Sequence, residues 1–299
     1  MNKKFSSLSG AKSRNKIVSL LLLLALLLTF SGCDIPISDA TPEIEIHFID
    51  VGQADAALIL CGGESMLIDG GNVADSSLIV AYLRDQDISE LDYVVSTHAH
   101  EDHVGGLAGA LAVFDVGAVF SPVDDYDTKA FTNFKKYATE QGLELTPPTV
   151  GDTLSLGGAT VYFLGPVKDY DDPNDTSIVL LIEYEEIRFL FTGDATRESE
   201  GDILDNGADV SATVLKVGHH GSYTSNSYRW IYEVQPEYAV ISVGQDNSYG
   251  HPHREVMSRL RDAEVTVLRT DMQGHIVCYS DGQTVWFVTE RNADAETNP

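Results

Sequence analysis

Residues 96–106 read STHAHEDHVGG and place three histidines, a glutamate and an aspartate within six positions, 98–103. Imidazole and carboxylate together suit Zn²⁺, and also Mn²⁺ or Fe. The preceding LDYVVST is apolar, so a buried strand should run directly into the cluster. Residues two apart on an extended segment point to the same side, which lets His98 and His100 reach one ion. Asp102 and His103 lie where the chain must turn and can face a second ion. Water held between two divalent ions ionises near neutral pH, so the chemistry on offer is hydrolysis.

Further groups of the same kind follow. Asp194 ends RFLFTGD, where a carboxylate can bridge two metals or cap the next helix. His219 and His220 end another strand-like run, ahead of Gly221-Ser222, and one of them should complete the second ion's shell. His251 lies in YGHPH. The sequence has no G-x-S-x-G elbow and no phosphate-binding Gly-Lys loop, and a water nucleophile needs neither.

Positioning these groups requires elements on every side of them. EIEIHFID (43–50) alternates apolar and polar residues as a half-buried strand does, and DAALIL and SMLID follow across the turn CGGE. A helix is expected over 73–86, a strand over 91–97, a helix over LAGALAVF, a strand over GAVFSP and a helix near 128–141. TLSL, TVYFLGP, SIVLLIEY and IRFLFTGD read as consecutive strands. Helices over 195–205, 226–233 and 252–262 alternate with strands ATVLKV, EYAVISV and EVTVLRT. HIVCYS and TVWFVT close as a hairpin about Asp281-Gly282. Strands in two blocks, each followed by helices, predict one α/β domain over 44–290. Its two mixed sheets should pack face to face with helices outside, a four-layer αββα arrangement.

The ends read differently. Residues 1–32 combine five basic residues with the apolar run IVSLLLLLALLLTFSG, the pattern of a secretory signal. FSGC is close to a lipobox, which makes Cys33 the expected lipid attachment and 33–43 a tether. The alternative is an uncleaved anchor, for which the apolar run is short. Either reading puts the domain outside the cytoplasmic membrane, lipid-anchored at its outer face or secreted. The tail 291–299 is polar. Cys61 and Cys278 lie in predicted strands, as a disulfide or as two buried thiols.

The formal net charge is −27. Such a surface repels polyanions at long range and argues against a broad nucleic-acid groove. Lys216, Arg229 and Arg254 are the few basic residues near the motifs.

THAHEDHVGG resembles the signature of the metallo-β-lactamase-fold hydrolases. FIDVGQADAALIL…MLIDGG (48–71), FLFTGDA, LKVGHHGSYTSNS and AVISVGQDNSYGHPHREVMSRL extend the likeness over nearly all of 44–290. These blocks resemble the extracellular hydrolase domain of the ComEC family of DNA-uptake channel proteins.

The resemblance implies two divalent ions, Zn²⁺ or Mn²⁺, held by His98, His100, Asp102, His103, Asp194 and His220. Asp194 would bridge them, and a hydroxide between them would be the nucleophile. Asp69 would steady a liganding histidine. Asp102 and His251 are the candidate catalytic residues, and His219, Ser222, Ser225 and Asn247 the candidate contacts to substrate oxygens. The family's loop histidine is missing from DDPNDTSIVLL, which leaves Asn174, Asp175 or water for its place. Ala54 stands where the family usually has Gly and would be strained at positive φ. DNA is the implied substrate; a smaller phosphoester or lactone is the alternative, and a non-enzymatic metal-dependent module a third.

Overall fold

The computed structural model describes residues 43–291. The expected signal, Cys33, most of the tether and most of the tail lie outside them. The first part of the domain supplies β1 (Ile44–Phe48), β2 (Ala57–Cys61), β3 (Glu64–Ile68), β4 (Glu90–Val95), β5 (Asp115–Phe120) and β6 (Leu145–Thr146). The second supplies β7 (Thr153–Leu156), β8 (Ala159–Gly165), β9 (Val179–Tyr184), β10 (Ile187–Phe191), β11 (Val214–Lys216), β12 (Tyr238–Ile241) and β13 (Thr266–Arg269). The chain then returns to the first sheet with β14 (Ile276–Ser280) and β15 (Val285–Thr289). The sheet orders are β15-β14-β1-β2-β3-β4-β5-β6 and β13-β12-β11-β10-β9-β8-β7. Both sheets are mixed: β3 to β6 run parallel, as do β10 to β13, and the remaining pairs are antiparallel.

Side chains alternate across each strand, and the inner strands β1 to β3 and β9 to β11 are buried on both faces. Ile44, Ile46 and Phe48 of β1 meet Phe189 and Phe191 of β10 in the core between the sheets. On the far side of the first sheet, Leu58, Leu67 and Val94 pack with Ile79, Leu107, Phe131 and Phe134 of three outer helices. On the far side of the second, Leu181, Leu190 and Leu215 pack with Ile203, Trp230 and Leu260. This is the αββα layering expected from the two strand blocks. Phe189 is buried where the sheets meet, and its truncation to Ala should cost about 3–5 kcal/mol.

Local differences from the sequence reading have physical causes. The helix expected from 107 is preceded by a turn, Glu101–Val104, so helical structure begins inside the His cluster; Leu107–Leu111 follows. Gly105 and Gly106 permit this, because a Cβ on Gly106 would lie 2.0 Å from the Gly70 carbonyl oxygen. Ala54 is absent from the positive-φ residues, so no strain arises there. Cys61 and Cys278 are free and buried. They flank β1, whose Ile44 pairs with Cys61 and whose Ile46 pairs with Cys278. Two strand spacings of about 4.8 Å put their Cα atoms beyond disulfide reach. Among the described residues no helix is long and apolar enough to cross a membrane.

Candidate metal centre

The parallel pairing of β3 with β4 and of β10, β11 and β12 points their C-terminal ends toward one edge of the sandwich. Asp69 follows β3, His98 follows β4, Asp194 follows β10, and His219 and His220 follow β11. Strand ends and the loops after them are where open α/β sheets build sites.

His98 Nε2 lies 3.0 Å from His100 Nδ1 and 3.9 Å from Asp194 Oδ2. His103 Nε2 lies 3.3 Å from the other Asp194 oxygen and 4.0 Å from Asp102 Oδ2. His220 Nε2 lies 3.4 Å from Asp102 Oδ2. Besides Asp55 with Asp69 and His103, two donor groups result among the described residues, one of His98, His103 and Asp194 and one of Asp102, His103 and His220; His100 belongs to neither. Asp194 also approaches the second group, with its Oδ2 3.9 Å from His220 Nε2. It is not the helix cap, because Thr196 accepts from Glu198 N at the start of the helix Arg197–Asp205.

The adjacent histidines divide. His220 is buried against Asp102, whereas His219 is partly exposed on the cavity wall with Nε2 3.5 Å from Asp194 Oδ2. Both have left-handed backbones, with φ of 52° and 53°, a strained state that persists where surrounding structure enforces it. Asn226 supplies part of that enforcement: its side chain accepts from Gly218 N at 3.0 Å and donates to Gly218 O at 2.9 Å.

Supporting contacts fix the rings. Asp69 accepts from Thr97 N at 2.8 Å and from Thr97 Oγ1 at 2.7 Å, and its Oδ2 lies 2.8 Å from His103 Nδ1. That leaves His103 Nε2 free for a metal, the usual effect of a carboxylate behind a liganding histidine. His220 Nδ1 lies 3.1 Å from Ser242 O and 3.4 Å from Asp55. Lys216 donates to Asp55 at 2.8 Å, and both side chains are buried.

Of the two candidates for the missing loop histidine, Asp175 is committed elsewhere. Its Oδ1 accepts from Thr196 N, Thr196 Oγ1 and Ser199 N, anchoring the helix start. Asn174 lines the cavity instead.

The cavity holds about 360 Å³ and is lined by Gln53, Glu101 and Tyr249 beside His100, Asp102, Asn174, Asp194, His219, His220 and His251. Ser222 and Asn247, expected to bind substrate, do not line it. The Ser222 hydroxyl pairs with Thr224 Oγ1 at 2.9 Å. The Asn247 side chain is spent on Gly244 O, His251 O and His251 N. Both stabilise their own loops, and Ser225 is likewise buried. Gln53, which sequence reasoning passed over, places Nε2 3.4 Å from His251 Nδ1. Its position in VGQADA, beside the site, was the available signal.

The residues fit divalent ions. Among the described residues, His103 Nε2, Asp194 Oδ1, His220 Nε2 and Asn174 Oδ1 are buried without a hydrogen-bond partner, whereas buried polar atoms are ordinarily paired. Burial would raise the Asp194 carboxyl, but His103 and His220 hold it well below the usual range. Asp102, against the same penalty, is pulled down to about 2 by His103 and His220. Burial and His103 push His98 well below the ordinary imidazole range, the neutral state that ligates metals.

Layered sheets with clustered ligands at their strand ends define the metallo-β-lactamase-like proteins, which are generally metal-dependent hydrolases. Residues 49–245 match the Metallo-beta-lactamase superfamily, and the chain belongs to it. It is similar to ComE operon protein 3 of Bacillus subtilis (strain 168), with 31% identity over 260 residues, covering 78% of this chain and 33% of that protein. It is also similar to competence protein ComA of Neisseria gonorrhoeae, with 31% identity over 242 residues, covering 79% and 32%. The chain thus spans about a third of the length of these relatives. Among solved structures it resembles CmlA, a diiron beta-hydroxylase from Streptomyces venezuelae, with a TM-score of 0.52, 16% identity, and 80% and 55% covered. That likeness is of fold alone, and a hydroxylase on this fold shows that the fold does not fix the reaction.

Proposed function

We propose that the chain is a two-metal phosphodiesterase acting on DNA at the outer face of the cytoplasmic membrane. The observation that carries this reading is Asp194, with one oxygen toward His98 and the other toward His103. His98 and His100 would hold one ion and Asp102, His103 and His220 the other, with Asp194 shared. Asn174, on the cavity wall with Oδ1 buried and unpartnered, is a further oxygen donor, and the mixed nitrogen and oxygen donors suit Zn²⁺ or Mn²⁺. When bound, such a pair supplies an ionised water and neutralises charge on phosphoryl oxygens.

The chain's own residues do the positioning. Asp69 and Asp55 hold the histidine rings from behind. His251, with Nδ1 beside Gln53, offers its opposite ring nitrogen to a substrate oxygen or leaving group. The similarity to a competence protein supports DNA as the substrate. A smaller phosphoester or lactone remains a second reading, favoured by one observation: no Lys or Arg lines the cavity.

Loading the protein with Zn²⁺ or Mn²⁺ and assaying a bis-nitrophenyl phosphate, single-stranded DNA and a lactone separates these readings. Hydrolysis of the phosphodiesters, lost in His100→Ala and Asp194→Ala, is the expected result. Inactivity toward all three contradicts an enzyme. Anchoring rests on the basic and apolar run before Cys33, outside the described residues. Labelled fatty acid should be incorporated by the wild type and not by Cys33→Ser; equal labelling would contradict it.

A further inference from the structure

We infer that a strip of rings beside the metal centre is a stacking platform for unpaired bases next to the scissile phosphodiester. The substrate would then be single-stranded nucleic acid, held by its bases more than by its phosphates. This deepens the phosphodiesterase reading of the same site and rests on it.

The strip is continuous. Tyr249 is 67% exposed and stacks on His251 with ring centroids 5.5 Å apart and planes inclined by 23°. His251 meets His253 at 4.7 Å, and His253 meets Tyr223 at 4.9 Å. Tyr223 is 53% exposed. Tyr249 and His251 line the metal cavity, so the strip begins beside the reacting centre and ends in solvent at Tyr223. Both outer tyrosines leave more than half of their surface open to solvent.

The platform is held in place before any ligand arrives. Asn247 Oδ1 accepts from His251 N at 3.0 Å, and Asn247 Nδ2 donates to His251 O at 2.7 Å. Tyr223 N donates to His253 Nδ1 at 3.1 Å, tying the two loops together. Preorganisation of this kind lowers the ordering cost of binding.

Charge decides between bases and phosphates. The cavity lining includes Glu101, Asp102 and Asp194 and no lysine or arginine. Lys216 is committed to Asp55, and Arg229 pairs with Asp205 at 2.7 Å, which leaves the exposed Arg254, next to His253, as the one cation near the strip among the three noted in the sequence. With 46 acidic against 19 basic residues, the chain lacks the cations that a phosphate-tracking groove needs. Stacking needs no charge and tolerates any base. A paired base is already stacked inside its duplex and offers no free face, so the strip selects unpaired strands. An aliphatic phosphoester or a lactone has no ring to place on it.

The test is fluorescence titration of the Zn²⁺-loaded full chain with a 2-aminopurine dinucleotide joined by a methylphosphonate linkage that resists hydrolysis, which reads stacking without turnover. Binding should quench the probe and change little between 0.1 and 0.5 M salt. Stacking is commonly worth about tenfold in affinity or more per base, so Tyr249→Ala should weaken binding by about that factor, while Tyr249→Phe should not. Both positions are exposed, and circular dichroism would confirm folding of each variant. Absent binding, binding without quenching, or Tyr249→Ala and Tyr223→Ala both equal to wild type would overturn the inference. Quenching in a protein that cleaves no phosphodiester would instead overturn the hydrolase reading and leave the platform standing.

Discussion

Lys216 Nζ lies 2.8 Å from Asp55 Oδ2, and the other oxygen of Asp55 lies 3.4 Å from His220 Nδ1. A buried lysine thus fixes a buried carboxylate, which in turn backs a histidine of the candidate metal centre. The residues come from β11, the loop after β1 and the turn after β11, so the pair also ties the two sheets together.

Removing one partner of a buried ion pair leaves the other charge uncompensated. Lys216→Met should therefore lose about 3–5 kcal/mol of stability in chemical denaturation. Adding Asp55→Asn should recover part of that loss, because the stranded charge is gone. A loss below about 1 kcal/mol, the range of exposed pairs, would contradict the pairing.

Asp69 holds His103 by its Nδ1, with Thr97 holding Asp69 in turn. Asp69→Asn keeps the shape and removes the charge. Metal affinity, read by competition with a chelating dye, should fall roughly 10–100-fold. Unchanged affinity would show that Asp69 has no part in the centre.

Asn174 and Asp175 are neighbours with separate roles. Asp175→Ala removes the acceptor for three donors at the helix start, a loss of about 1–2 kcal/mol by analogy with caps. Asn174→Ala should leave stability within about 0.5 kcal/mol and lower metal occupancy. Thermal melts with elemental analysis check both, and the reverse pattern would exchange the assignments.

The layers were legible because period-two strands and 3.6-period helices bury their apolar faces as patterned, from Ile44-Ile46-Phe48 to Ile203 and Leu260. The sequence cluster 98–103 was legible because its ligands are local. Roles that depend on how a loop spends its hydrogen bonds were not. Asn247 carries the right amide for a substrate oxygen, yet its donors and acceptor close its own loop. The Lys216–Asp55 pair joins residues 161 positions apart, beyond any local pattern. Asn174 and Asp175 differ only in which way each side chain faces, which one sequence position cannot encode.

Glu200 accepts from the backbone N–H groups of Asn226 and Ser227, behind the loop that carries His219 and His220. Burial raises its carboxyl to about 7, against those hydrogen bonds, from an ordinary 4.5. The folded state therefore binds the proton more tightly than the unfolded chain. The stability this contributes is complete below about pH 4.5 and is lost as pH rises through about 7. Compared with wild type, Glu200→Gln should flatten the fall in stability over that window. Denaturation curves at four pH values check it, and parallel slopes would contradict it.

The central claim is that two ions share Asp194. The rate of bis-nitrophenyl phosphate hydrolysis should be followed while metal-free protein is titrated with Zn²⁺, and separately with Mn²⁺. We expect activity to rise to a plateau at two equivalents per chain and to be absent at every ratio in Asp194→Ala. A plateau at one equivalent, or full activity in Asp194→Ala, would contradict the shared two-metal centre.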